Sequence, residues 1–267
     1  MSKTIAIAGM GWLGWPLAHQ LKTFGYTIRG SVSSQDKADQ LVKNGWDVFA
    51  IMISEDGVSG PVEEFLNGVQ DMIIMIPPGL RRNSGADYVL KMSHFLSEIE
   101  HSSVENIIFV SSTSVYGDAQ GTVTEKDPPK PDTEAGRQLL QVEQLFFTSR
   151  FNTSIVRFGG LFGGSRQPAR YLAGRENLSN GRAPVNLIHR DDCIKLLMTI
   201  IKRQAFGHIF NAVHPSHPSK SSYYIQKAKD LGLEPPTYAP DLAEEQFKQV
   251  DSIHLKALLD FHFTQEP

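Results

Sequence analysis

Short apolar runs alternate with longer amphipathic stretches over the first two thirds of the chain. Such alternation predicts strand, crossover helix and parallel strand, repeated in that order. Strands are expected at residues 4–8, 26–32, 48–53, 72–76, 107–111 and 154–157, with helices at 13–24, 36–43, 88–100 and 134–149. The last helix has the clearest pattern: Leu139, Val142, Leu145 and Phe146 recur at three- and four-residue steps and make one apolar face. The elements assemble into an α/β fold built on a doubly wound parallel sheet.

After about residue 158 the texture changes to Gly- and Pro-rich loops, short helices and one further apolar strand at 208–212. Residues 1–158, with a return segment near 187–212, are expected to form one domain. Residues 159–186 and 213–267 are expected to form a smaller C-terminal substrate lobe. The cluster His214-Pro215-Ser216-His217-Pro218 reads as a solvent-facing, turn-rich loop rather than a metal site, because its prolines break the helical spacing a ligand pair uses. No internal repeat or low-complexity tract is present, and no metal is expected.

Composition narrows the classes. Of 267 residues, 40% are hydrophobic and 21% charged, the balance of a globular protein rather than a disordered one. The 26 Lys+Arg against 29 Asp+Glu give a net charge of −3 without a basic block, so no nucleic-acid partner is expected. The single cysteine, Cys193, excludes an internal disulfide and any Cys-x-x-Cys site. The start, Met1-Ser2-Lys3-Thr4, does not resemble a signal peptide, and no run approaches the ~18 apolar residues of a membrane span. A cytoplasmic location without membrane attachment is the expectation.

Gly9-Met10-Gly11-Trp12-Leu13-Gly14 follows the first strand and opens the first helix. In that context Gly9 permits the tight turn, Gly11 lets backbone approach a pyrophosphate, and Gly14 lets helix pack on strand. Amides at the helix start, at Trp12 and Leu13, would then face the anion. This marks a Rossmann-like dinucleotide cradle. The acid that usually follows the second strand and bonds the ribose hydroxyls is absent from Arg29-Gly30-Ser31-Val32-Ser33-Ser34. Ser33, Ser34 and Lys37 could instead meet a 2′-phosphate, which favours NADP over NAD, or the two hydroxyls could simply cap the next helix. Pro77 and Pro78, with Gly79, end the fourth strand and form either a wall along the cofactor or an ordinary strand terminator.

Three segments together carry a family resemblance: Gly9 to Gly14, the run Val110-Ser111-Ser112-Thr113-Ser114-Val115-Tyr116-Gly117, and Val185-Asn186-Leu187-Ile188-His189-Arg190-Asp191-Asp192. They resemble the extended short-chain dehydrogenase/reductase superfamily, in its NAD-dependent epimerase/dehydratase group, over nearly the whole chain. The resemblance implies that Ser112 hydrogen-bonds the reacting oxygen of a substrate, and that the His189 segment closes the cofactor domain onto the substrate lobe. It also implies a tyrosine four residues before a lysine on the helix after Ser112. Here those positions hold Ala135 and Leu139, which cannot exchange a proton. The Thr133-Glu134-Ala135-Gly136-Arg137 stretch is similar to an atypical subgroup lacking the tyrosine motif.

Candidate replacements are Tyr116 and His189. Tyr116 either acts as an acid if a cation such as Arg137 is close or packs below the substrate loop. His189 is a residue type able to carry protons at neutral pH, though the resemblance implies that its segment chiefly holds structure and substrate. Tyr223 and Lys227 share the four-residue spacing but fall in the C-terminal lobe. On the substrate side, Arg157 precedes the Gly159-Gly160 loop, and Arg166, Arg170, Arg175 and Arg182 cluster in one region. These arginines would either clamp a diphosphate or carboxylate or pair with surface acids. Thr113, Arg137, Arg157, Gly159, Gly160, Arg166 and Asn186 are the expected substrate contacts. The functional expectation is an NAD(P)-binding oxidoreductase or epimerase/dehydratase-like enzyme for a small anionic or nucleotide-sugar-like substrate. The alternative is a catalytically silent NAD(P)-binding sensor or scaffold. Extended members of the superfamily often pair through helices flanking the sheet, so a homodimer is also implied.

Overall fold

The first strand, β1 (Thr4–Ala8), is buried from Ile5 to Ala8 on both faces, as the middle of a parallel sheet requires. The computed structural model describes residues 3–79, 85–240 and 246–267. β1 leads to α1 (Gly14–Thr23), β2 (Thr27–Val32), α2 (Gln35–Lys43), β3 (Asp47–Ala50) and a small hairpin of β4 (Met52–Ser54) and β5 (Gly57–Ser59). The chain then runs through α3 (Val62–Leu66), β6 (Asp71–Ile74), α4 (Tyr88–Glu100), β7 (Asn106–Ser112), β8 (Gly121–Val123) and α5 (Glu134–Phe147). It finishes with β9 (Asn152–Phe158), β10 (Gly160–Phe162), β11 (Leu187–His189), α6 (Arg190–Arg203), β12 (Ile209–Ala212), α7 (Lys220–Asp230), β13 (Lys248–Val250) and α8 (His254–Leu259).

Seven strands form one parallel sheet in the order β12-β9-β7-β6-β1-β2-β3. The register pairs Ile5 with Ile28 on one side of β1 and with Asp71 on the other. The chain moves outward from β1 to β3 and then returns to add β6 on β1's other side. This reversal opens a crevice beyond the carboxyl ends of β1 and β6. The doubly wound α/β expectation is what the structure shows. Two details differ. The apolar run at 48–53 is split at Ile51, whose amide makes a 2.8 Å bond to the Val32 carbonyl before the chain turns into the β4–β5 hairpin. The region expected to hold only short helices contains α6, at 14 residues as long as α5.

The chain divides into two compact units. Unit 1 takes residues 1–111, 134–156 and 197–209, and unit 2 takes 112–133, 157–196 and 210–267. In unit 1, Ile5, Ile7, Leu17, Leu21, Phe95, Phe109 and Phe146 are fully buried, and the Phe109 and Phe146 rings stack at 5.2 Å. That pair anchors the apolar face of α5 on β7. Unit 2 has a smaller cluster of Phe162, Val185, Leu187 and Tyr223, with Tyr224 at its edge. No helix among the described residues is long and apolar enough to cross a membrane.

Candidate functional site

The glycine-rich loop sits where β1 passes into α1, and its three glycines have three different reasons to be glycine. Gly9 adopts φ +106°, and a Cβ there would come within 2.8 Å of the Met75 carbonyl oxygen. At Gly14 a Cβ would meet the Gly9 carbonyl oxygen at 2.3 Å, so this position lets α1 start against the turn. Gly11 has nothing within 4 Å of the same test position. It is exposed, and the space beside it is open to a ligand. Met10 turns inward: it is 1% exposed and lies over Gly30, where a Cβ would meet its Cγ at 2.6 Å. The cradle is therefore left clear of the Met10 side chain, with Trp12 half-buried and Leu13 buried at the helix start. α2 and α4 are capped by the side chains of Ser34 and Asp87, whereas α1 has no side-chain cap. The Gly11 amide donates to the Gly9 carbonyl at 2.8 Å and the Trp15 amide to the Gly11 carbonyl at 3.0 Å, so what the start of α1 offers an anion beside Gly11 is chiefly the positive end of the helix dipole.

At the end of β2, the Ser34 hydroxyl accepts the Lys37 amide at 3.4 Å and serves as the α2 cap. The capping alternative thus accounts for Ser34, while Ser33 is exposed beside it. Arg29 is held away from this edge by Asp47 at 3.1 Å and by the carbonyls of Glu64 and Asn67. Lys37 reaches back to the glycine loop and donates to the Met10 carbonyl at 3.0 Å. An ammonium group therefore stands at the rim of the cradle where an acid was absent. Pro77 is exposed and Pro78 half-buried just past β6, after Met75 has bonded the Ala8 carbonyl at 2.9 Å.

Unit 2 contains the other candidates. Ser112 is half-buried and its Oγ accepts the Ser114 amide at 3.2 Å, starting a single helical turn over Thr113–Val115. Tyr116 is fully buried. Its hydroxyl accepts from Arg157 Nη1 at 2.7 Å and faces the Thr124 carbonyl at 3.0 Å and Asn211 Oδ1 at 3.1 Å. Burial pushes this hydroxyl above its ordinary pKa, against the opposing pull of the Arg157 charge. The burial of Tyr116 fits the packing alternative, and one expectation is corrected: the cation beside it is Arg157, whereas Arg137 bonds Glu134 on its own helix at 3.0 Å. Arg157, 3% exposed, is likewise withdrawn from substrate contact.

Asn186 donates through Nδ2 to the Lys248 carbonyl and accepts the Val250 amide at Oδ1, both at 2.8 Å. It is a clip on β13 rather than an outstretched ligand hand. Gly159 and Gly160 lie against the Asn186 carbonyl and the Leu187 side chain, at 2.7 and 2.8 Å from a test Cβ. Both serve close strand approach, and Gly160, which is exposed, also borders a cavity in unit 2.

His189 accepts the Asp191 amide at Nδ1 across 3.2 Å, which places the ring proton of the neutral form on Nε2. That edge lies over Gly163, where a Cβ would meet Nε2 at 2.1 Å. Arg166, Arg170, Arg175 and Arg182 are exposed. The His214–Pro218 cluster departs from the solvent-facing expectation. His214 is 6% exposed, and the His217 ring bridges the Val185 carbonyl at 2.9 Å and Asp251 Oδ1 at 3.1 Å. The Cys193 thiol is buried, and that burial, with the Asp192 charge, pushes its pKa well up. Tyr223 and Lys227 meet only as a cation over a ring at 5.7 Å.

A cavity of about 250 Å³ in unit 2 is bordered by Thr113, Asp118, Asn186, Lys220, Tyr224 and Lys248, among others, and by none of the four arginines. A larger open groove of about 700 Å³ in unit 1, edged by Glu63, Glu64, Glu98 and His101, holds none of the candidate residues. The unit 2 cavity is singled out because Thr113, Gly160 and Asn186, three of the expected substrate contacts, border it. Asp118 and Lys248, which border the cavity, and Asn211, which meets Tyr116, are neighbours of the candidate residues that sequence reasoning missed. They come from a loop, a three-residue strand and the last sheet strand, and no local motif marks them.

Comparison with known proteins bears on the family and the fold. No protein-family model matches the chain. Protein YeeZ of Escherichia coli K12 is 35% identical over 266 residues, spanning 98% of this chain and 96% of YeeZ. Among solved structures, MoeE5 in complex with UDP-glucuronic acid and NAD superposes with a TM-score of 0.79 at 19% identity, covering 98% and 94% of the two chains. UDP-N-acetylglucosamine 4-epimerase from Bacillus cereus gives 0.78 at 18%, covering 99% and 95%. A short-chain dehydrogenase/reductase superfamily protein from Agrobacterium tumefaciens with bound NAD gives 0.76 at 17%, covering 98% and 93%. The chain belongs to the family of protein YeeZ, and its fold is that of the NAD-dependent epimerase/dehydratases of the short-chain dehydrogenase/reductase superfamily.

Proposed function

We propose that the chain binds a nicotinamide dinucleotide on the unit 1 cradle and acts, in the manner of an oxidoreductase or epimerase/dehydratase, on a small anionic, nucleotide-sugar-like substrate. The observation that carries this is the open space at Gly11 beside an uncapped α1, with Gly9 and Gly14 closed by backbone. The pyrophosphate would rest in the open space beside Gly11 at the positive end of α1, with Lys37 at the rim favouring NADP over NAD. The nicotinamide, when bound, supplies hydride acceptance and return. MoeE5, seen with UDP-glucuronic acid and NAD, supports the cofactor class and the substrate class.

Ser112 would orient the reacting oxygen, because its Oγ takes the Ser114 amide as acceptor and keeps its proton to donate. His189, with its proton on Nε2, is the proposed proton carrier in place of the Tyr-x-x-x-Lys pair. We also propose a homodimer paired through the helices flanking the sheet, with α5 among them. A second reading, a cofactor-binding sensor without turnover, is favoured by Leu139, which is buried and apolar where a lysine would act. Calorimetric titration with NADPH, NADP, NADH and NAD tests the cofactor; heat with at least one is expected, and none with all four overturns both readings. Cofactor binding without any change in nicotinamide absorbance across UDP-sugars would leave the sensor standing and remove the enzyme.

A further inference from the structure

Lys248 is held at several points. Its backbone is clipped by Asn186 at both its own carbonyl and the Val250 amide. β13 pairs in parallel with β8, placing Lys248 opposite Gly121. Its ammonium donates to the Tyr116 carbonyl at 2.7 Å, and the Tyr116 ring is fixed in turn by Arg157 and Asn211. The position is therefore built from within unit 2 rather than left to a mobile side chain.

The charge balance at this position is uneven. Lys248 contacts Asp118 Oδ1 at 2.8 Å, but the lysine side chain is 15% exposed and the aspartate 83%. A carboxylate so fully hydrated gains little from the pair, while an ammonium group withdrawn from water needs an anion nearby. The Asp118 backbone is tied separately, its amide donating to Asp132 Oδ2 at 2.8 Å, so its side chain can swing away without unfolding the loop. Both residues border the 250 Å³ cavity, as do Thr113 and Lys220.

We infer that this cavity takes an oxyanion, phosphate or carboxylate, on Lys248, and that Asp118 occupies the anion's place until the ligand displaces it. The inference deepens the proposed function and rests on it only for the substrate being anionic. It replaces the arginine cluster by one lysine as the reader of charge, and it makes Asp118 a competitor rather than a helper.

The test uses backbone amide correlation spectra of the full-length protein, titrated separately with inorganic pyrophosphate and with glucuronate. Saturable shifts at Thr113 and Lys248 are expected with at least one probe, and the one that binds tells phosphate from carboxylate. Asp118→Asn should tighten binding about fivefold, the Coulomb effect of removing one exposed charge beside another. Lys248→Gln should weaken it about tenfold or more, and Lys248→Arg should restore most of it. A structural ion pair predicts that both neutral variants lose thermal stability and that neither changes affinity. Affinity moving the same way in Asp118→Asn and Lys248→Gln, or no saturable shift with either probe, overturns the inference. Amides of residues 9–14 report the cradle separately, so failure there removes the cofactor reading and leaves this one intact.

Discussion

Arg157 donates to the Tyr116 hydroxyl at 2.7 Å, and both side chains are buried. A guanidinium in that position is tolerated because oxygen atoms receive it, the phenol oxygen among them. Tyr116→Phe removes that acceptor and also leaves Asn211 Oδ1 without the phenol. The variant should lose about 1–3 kcal/mol of unfolding free energy in urea, the usual cost of an orphaned buried polar group. Dinucleotide affinity should not move. An unchanged urea midpoint together with lost turnover would instead restore Tyr116 as an acid.

Alkaline pH should expose a second consequence of buried phenols. Burial raises the Tyr88 pKa, and its hydroxyl donates to the Ile76 carbonyl at 2.7 Å; burial also raises Tyr223, to about 12. Both are protonated when folded at a pH where the unfolded chain, with tyrosine near ~10, has released them. The unfolded state then binds fewer protons, so stability is fully present below about pH 10 and falls as pH rises beyond it. For Tyr88 alone the loss near pH 11 is on the order of 1 kcal/mol. Urea unfolding at increasing pH, followed by phenolate absorbance, should show the midpoint falling with Tyr88 ionising only as the chain unfolds. Tyr88→Phe should flatten that slope.

Gly11 and Gly14 separate binding from folding. A methyl at Gly11 meets nothing within 4 Å, whereas one at Gly14 is driven onto the Gly9 carbonyl at 2.3 Å. Gly11→Ala should therefore leave stability within about 0.5 kcal/mol, the range of surface substitutions, while weakening dinucleotide binding about tenfold or more. Gly14→Ala should cost about 1–3 kcal/mol through backbone displacement. Calorimetry and denaturant melts on the two variants check both arms. Equal dinucleotide affinity in Gly11→Ala and the parent would remove the pyrophosphate from that place.

The sheet was legible because its information is periodic: buried runs such as Ile5–Ala8 and the apolar stripe of α5 report their own environment. The glycine spacing was legible for a similar reason, since Gly9 and Gly14 are demanded by neighbours within a few residues. What escaped was long-range pairing. Ser111 donates to the buried Glu143 at 2.5 Å from 32 residues away, and Lys248 meets the Tyr116 carbonyl from 132 residues away. Neither partner carries a local signal, because a lysine in a short polar strand reads the same whether it faces water or a cavity. Asn186, Gly159 and Gly160 were singled out as ligand neighbours, and their packing role was not visible in the sequence. They hold strands together, and that distinction lies in partners rather than in residue type.

Lys37 offers the sharpest test of cofactor choice. Ser34 fixes the start of α2 through the Lys37 amide, and the same residue's ammonium bonds the Met10 carbonyl, so backbone and side chain are set by two separate contacts. A 2′-phosphate arriving at this rim would meet one positive charge and the exposed Ser33, with Arg29 already committed to Asp47. An unphosphorylated ribose would meet the same groups without a charge to match. Lys37→Glu should therefore weaken NADP(H) about tenfold or more, since it replaces attraction by repulsion, and leave NAD(H) within about twofold. Lys37→Gln, which keeps a donor for Met10 and removes only the charge, should fall between them. Raising salt should weaken NADP(H) more steeply than NAD(H) and so erode the parent's preference, because only NADP(H) adds the 2′-phosphate to the pyrophosphate charge that both cofactors carry. Parallel loss of both cofactors in Lys37→Glu would mean that the lysine supports the loop rather than reading the phosphate, and the NADP preference would fall with it.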